Sequence, residues 1–234
     1  MKRYRSEDSC SYALGMSLTM EALQHKNEYV EKVILSEKAI RNEQLDRLLE
    51  LCGKYGIPVF YDEKTIESLS AKENCYCIGV FRKFNTPIKK EEHVVLYGFS
   101  DFGELGTVLR SAVSFDFRDI VLVDTDLDYF DPRCVRASMG SLFHCRIAEY
   151  DSLEAYRKKY PEHHIYPFVS RGSGKLHDLF PEQPFSILIS QESDSLDGLF
   201  EEDYSVEQSD DAPISLSIRS SIILQEMYQR KRRR

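Results

Sequence analysis

Two kinds of residue in this chain could do chemistry: arginines set beside carboxylate-bearing loops, and cysteines and histidines that could meet a metal. The first kind concentrates between Asp101 and Phe143. There, Asp119–Asp124 (DIVLVD) is a short apolar run closed by a carboxylate, as at the carboxyl end of a parallel strand. Ligands of open α/β sheets gather at that end. Asp131-Pro132 then marks a helix start, with Asp as N-cap and Pro at the first helical position. Arg133, Arg136, Ser138 and Gly140 ride on that helix or its end. Such a loop and helix make either one more βα unit of a core or the floor of a site for an anionic ligand.

The second kind yields no metal site. Cys10, Cys52, Cys75, Cys77, Cys134 and Cys145 form no pair of pairs at zinc-finger spacing. Cys75-Tyr76-Cys77 alternates like a strand, so both thiols face one side. His163 and His164 are adjacent and point apart. In a chain of this size with no export signal, reduced thiols and no structural metal are expected.

The elements that must position the arginines read as an α/β protein. The 234 residues are 42% hydrophobic and 30% charged, enough for one large or two modest globular domains. No apolar run is long enough to span a membrane. The start, MKRYRSEDSC, is basic but lacks an apolar segment behind it, so a cytoplasmic protein is expected. The net charge of −8 argues against a strong unspecific grip on nucleic acid. The closing QRKRRR reads as a solvated end.

In order, helical patterns cover Ser11–His25, Asn42–Tyr55 and Thr65–Leu69, and strand patterns cover Val30–Leu35, Ile57–Tyr61 and Cys75–Phe81. Asn85–Glu92 (NTPIKKEE) is the best boundary, which gives a small αβ domain over residues 1–90 and a second α/β domain over 91–234. The second run has strands at His93–Phe99, Ile120, Cys145–Ile147, Ile165–Val169 and Phe185–Ser190. Helices follow Asp101 and Pro132 and cover Ser152–Lys159 and Pro213–Gln229. The last helix is apolar at Ile214, Leu216, Ile218, Ile222, Ile223, Leu224 and Met227, more than one narrow stripe needs.

With these stretches in view, the chain resembles the SpoU/TrmH branch of the SPOUT superfamily, the RNA 2′-O-ribose methyltransferases. DPRCVRASMGSLF after IVLVDTDLDYF is similar to the family's second motif, and DFGELGTVLRSA to its first. FSILISQESDSL and ISLSIRSSIILQEMY resemble the two halves of the third. Residues 1–90 resemble the ribosomal-protein-like substrate-binding domain that often precedes such a catalytic domain. The resemblance implies a deep trefoil knot in the second domain, a homodimer built on it, S-adenosylmethionine as cofactor and tRNA or rRNA as substrate. It implies catalytic roles for Arg110, Glu104, Glu192 and Ser217. It implies a cofactor pocket formed by Ile189, Ser190, Gln191, Glu192, Ser193, Ser195, Ser215 and Leu216, and RNA contacts from Arg110, Arg133 and Arg136. An arginine side chain keeps its proton in proteins, so Arg110 would clamp phosphate or stabilise developing negative charge rather than act as a base.

The departures from the family pattern cluster at the cofactor. Asp101 and Glu104 stand where the family has asparagines, and Ser190, Ser193 and Ser195 where it has glycines. Gln191 and Ser217 replace further asparagines, Arg219 occupies the place of a small residue, and the acidic VEQSDDA replaces an apolar loop. Two readings follow: an RNA 2′-O-ribose methyltransferase, or a non-catalytic RNA-binding relative that has lost the cofactor site. The serines and the acidic loop lead to an expectation of weak or absent S-adenosylmethionine binding in a constricted pocket.

Overall fold

The computed structural model describes residues 3–70, 75–170, 172–190, 196, 199–208 and 214–232. By packing, the chain divides into one unit of residues 1–84 with 128–144 and another of residues 85–127 with 145–234. The segment that carries the second motif thus packs with the N-terminal residues.

The first unit holds a four-stranded sheet of β1 (Cys10–Leu14), β4 (Cys77–Arg82), β2 (Val30–Leu35) and β3 (Val59–Tyr61), in that spatial order. Only β2 and β3 run parallel. Helices α1 (Met16–His25), α2 (Glu43–Tyr55) and α3 (Glu63–Leu69) connect the strands. The expected helix from Ser11 is corrected: Cys10–Leu14 is a strand, and the helix starts only at Met16. Gly15, at φ 114, makes the break that divides them, and residues 11–14 find a ladder on β4. The stripe Leu45, Leu48 and Cys52 buries α2 as its spacing predicts, and Asn42 caps the helix by accepting from the Leu45 amide at 3.0 Å.

Helix α5 (Pro132–Ala137) belongs to the same unit and packs on β1. Asp128 ties its approach down by accepting from Lys83 Nζ at 2.7 Å and from the Tyr4 hydroxyl. Phe81, Phe84, Phe130 and Phe143 form one aromatic cluster beneath it.

The second unit is a seven-stranded sheet in the order β7-β6-β5-β10-β8-β11-β9, and every pair is parallel. Its strands are β5 (Glu92–Tyr97), β6 (Asp119–Val123), β7 (Arg146–Tyr150), β8 (His164–Phe168), β9 (Gly174–Lys175), β10 (Phe185–Ser190) and β11 (Tyr204–Ser205). Helices α4 (Phe102–Ser114), α6 (Leu153–Lys159) and α7 (Leu216–Arg232) accompany them. Every residue of β6 and β10 is buried, as covering a parallel sheet on both faces requires.

A buried polar cluster pins the entry to β5. His93 and His163 stack with ring centroids 4.3 Å apart. His93 Nε2 donates to the Lys89 carbonyl at 2.7 Å and His163 Nε2 to the Lys90 carbonyl at 3.1 Å. The Nδ1 atoms lie 2.7 Å from the Tyr156 hydroxyl and 2.8 Å from the Ser186 hydroxyl, and those two hydroxyl oxygens are 2.6 Å apart, so the four side chains form one hydrogen-bonded cluster. Burial pushes both imidazoles below the ordinary value of 6.5.

The folded state therefore binds fewer protons than the unfolded chain once pH drops below about 6.5, and stability is lost from there downward. Urea unfolding should show a lower midpoint at pH 5.5 than at pH 7.5. His163→Asn should flatten that difference, and an unchanged midpoint in the parent would contradict the assignment.

Candidate active site

Parallel register aligns three strand ends. Ser190 at the end of β10 lies opposite Tyr97 at the end of β5, and Tyr97 opposite Val123 at the end of β6. This carboxyl rim is where an open α/β sheet has polar backbone to offer a ligand. Helices α4 and α7 pack together, with the Ser111 and Ser221 hydroxyl oxygens 2.7 Å apart. Asp101 caps α4 by accepting from the Glu104 amide at 2.8 Å, which sets Glu104 in the helix's first turn.

The residue that organises the rim is Arg219. It sits on the first turns of α7 between Leu216 and Ile223, on the stripe that the helix buries, and is only 5% exposed. Its Nη2 donates to the Ser190 carbonyl at 2.9 Å and its Nη1 to the Ser170 hydroxyl at 2.6 Å. Its Nε has no hydrogen-bond partner among the described residues. A buried cation with one unmet donor is costly unless a negative charge compensates it. Burial pulls the Arg219 guanidinium below the usual arginine value, and the Glu104 carboxylate opposes that pull. The two departures, a carboxylate at 104 and an arginine at 219, thus act on each other through space, with no ion pair between them among the described residues.

The other expected residues fall into three groups. Ile189, Ser190 and Leu216 are buried at the rim and the start of α7. Ser215 accepts from the Ile218 amide at 3.4 Å, and its hydroxyl oxygen is 3.1 Å from that of Ser217. Gln191, Glu192, Ser193 and Ser195 lie outside the described residues, as do residues 209–212 of the acidic loop. Arg110 is exposed on α4, and its guanidinium makes no ion pair among the described residues. Arg133 and Arg136 are exposed on α5 in the other unit, and Arg133 is forked onto Asp131 at 2.9 Å through both Nε and Nη2. Its charge is thereby partly spent within its own helix cap.

Sequence reading placed Arg219 among the departures and assigned it no contact. The available signal was an arginine between Leu216 and Ile223 on an otherwise apolar face. Tyr97 was also missed. Burial first, and the neighbouring Asp124 second, push its phenol above the ordinary range, so it stays protonated as a donor at the rim.

Residues 91–206 match the model of the SpoU rRNA Methylase family. A 23S rRNA (adenosine(1067)-2′-O)-methyltransferase of Streptomyces azureus is 30% identical over 105 aligned residues, covering 41% of this chain and 39% of that protein. The fold is similar to that of an AdoMet-bound rRNA methyltransferase from Sinorhizobium meliloti. The TM-score is 0.78 at 22% identity, over 96% of this chain and 89% of that one. It is also similar to the SpoU methyltransferase AviRb from Streptomyces viridochromogenes, solved with AdoMet. There the TM-score is 0.79 at 16% identity, over 97% and 92% of the two chains.

If Glu104 and Arg219 are coupled, their substitutions cannot be additive. The double variant Glu104→Asn/Arg219→Ser should lose less stability than the sum of the single losses, by at least about 0.5 kcal/mol, the lower end of the range for coupled neighbours. Denaturant titration of the four proteins measures this. Additive losses would mean that the two charges act separately.

Proposed function

Because the chain belongs to the SpoU rRNA methylase family through residues 91–206, we propose that it is an S-adenosylmethionine-dependent RNA 2′-O-ribose methyltransferase. Ribosomal RNA is the favoured substrate class, since the family description and the Streptomyces azureus relative both name it. The observation that carries the reading is the family match lying over the three strand ends aligned by register. No described feature favours the non-catalytic alternative strongly enough to displace it.

The described residues fit a cofactor held mainly by backbone. Ile189 and Ser190 end a buried strand, and Ser215 and Leu216 open the helix beside it. When bound, S-adenosylmethionine supplies a methyl group on a cationic sulfonium. The Glu104 carboxylate, in the first turn of α4, is a negative charge that would favour that cation. Arg110 is the exposed cation of α4 that would hold an RNA phosphate or stabilise charge growing on the ribose oxygen. Productive transfer requires the 2′-hydroxyl to lie in line with the methyl group, so positioning is the main task of the protein. The same reading carries three finer proposals. Residues 1–90 present the substrate, residues 91–234 form the knotted catalytic domain, and the protein works in the cytoplasm as a homodimer. The exposed pair Ile218 and Ile222, one turn apart on α7, is the apolar surface that such a dimer would cover. No helix among the described residues is long and apolar enough to cross a membrane.

Methyl transfer into ribosomal RNA, followed by digestion to nucleosides, should yield a 2′-O-methylated nucleoside. Arg110→Ala should lower the rate at least tenfold while the protein stays folded. A base-methylated product, or equal rates for parent and variant, would count against this assignment. Light scattering at micromolar concentration should report a dimer, and a monomeric mass would remove that part.

A further inference from the structure

Far from the rim in sequence, the first unit brings Glu21, His25 and His144 together. Glu21 and His25 are one turn apart on α1, so they share a face. His144 closes the short 3-10 turn Ser141–His144 that follows α5. Both imidazoles aim Nε2 at the same carboxylate oxygen, Glu21 Oε2. His144 approaches to 2.8 Å and His25 to 3.6 Å. The two rings lie 3.8 Å apart between centroids. One ligand atom from each of the three residues falls within 4.8 Å of the others.

A glycine builds this arrangement. A Cβ on Gly140 would meet Glu21 Cγ at 2.6 Å and Cβ at 2.8 Å, and the residue itself is at φ +88. Its bare backbone lets the stem of Glu21 lie against the turn and carry the carboxylate to His144. The three side chains keep 39%, 34% and 23% exposure, for His25, Glu21 and His144, which leaves an open side for an ion and its water.

Two imidazoles and one carboxylate are the donors that zinc and its neighbours take, whereas magnesium and calcium prefer oxygen alone. In a tetrahedral zinc site with bonds of about 2.0–2.1 Å, donor atoms stand about 3.3 Å apart. The distances of 2.8 and 3.6 Å lie on either side of that value. A divalent ion between the two tilted rings would take one nitrogen lone pair from each imidazole and offset the charge of the carboxylate.

We propose that Glu21, His25 and His144 form a binding site for a divalent transition-metal ion of the zinc class, completed by water. The ion clamps the end of α1 to the turn after α5 within this unit. The site is independent of the proposed methyl transfer.

The test uses the full chain, stripped with a chelator and titrated with zinc sulfate by calorimetry, with magnesium as the comparison. One equivalent of zinc should bind with a micromolar dissociation constant and raise the melting temperature, reversibly with chelator, and magnesium should do neither. His25→Asn and His144→Asn should each weaken zinc at least tenfold, whereas Cys10→Ser, at the partly exposed thiol, should leave it unchanged. Should the histidine variants fail to fold, imidazole nitrogen resonances of the parent decide the question: zinc must shift two histidines together. No zinc binding by the parent, undiminished binding in the variants, or binding with no pair of shifted imidazoles would overturn the proposal.

Discussion

A parallel sheet buried on both faces can do polar chemistry only at its ends. In the second unit β6 and β10 expose no residue along their lengths, so a ligand can reach polar backbone only at strand ends, such as the rim where Tyr97, Val123 and Ser190 stand in register. The Ser190 carbonyl is one of the groups that this rim must satisfy. In this chain the partner is the Arg219 guanidinium, and that choice shapes the rest of the site. A cation sealed from water calls for a compensating charge, and the Glu104 carboxylate on α4 acts in that sense without forming an ion pair with it among the described residues. The packing of α4 on α7 keeps those two charges within reach of each other.

Seen this way, the unusual residues of the first and third motifs are not a list of separate losses. On the proposed function, Glu104 by itself would set a carboxylate near an approaching RNA phosphate, and Arg219 by itself would set a buried cation near the methyl donor. Arg110 is the exposed positive charge of α4. Arg133, which the sequence places among the RNA-binding residues, already has a carboxylate partner in its own helix cap. It would have to give up that fork to hold a phosphate.

Much of the architecture was legible in the sequence because burial leaves a periodic record. The apolar runs at Val30–Leu35, Asp119–Asp124 and Phe185–Ser190 all became strands, and the stripe of Leu45, Leu48 and Cys52 became the buried face of α2. Residues 11–14 misled because SYAL followed by a helical stripe reads as one helix, and only the positive φ of Gly15 and the ladder on β4 divide it. The packing of residues 128–144 with the N-terminal residues was not legible, since it rests on contacts more than a hundred positions apart, such as that of Ser11 with Phe130. The meeting of Glu21 with His144 was hidden for the same reason. The rim itself was partly legible: motif resemblance named Glu104, Ser190, Ser215 and Leu216, but which charge answers which is a matter of three-dimensional distance.

The central claim is that this altered rim still receives the methyl donor, and calorimetric titration of the full chain with S-adenosylmethionine tests it most directly. The account predicts stoichiometric binding with a dissociation constant in the micromolar range, weakened in Glu104→Asn because the buried arginine then faces the sulfonium without its counter-charge. No heat of binding at millimolar cofactor, or tighter binding by Glu104→Asn than by the parent, would contradict it.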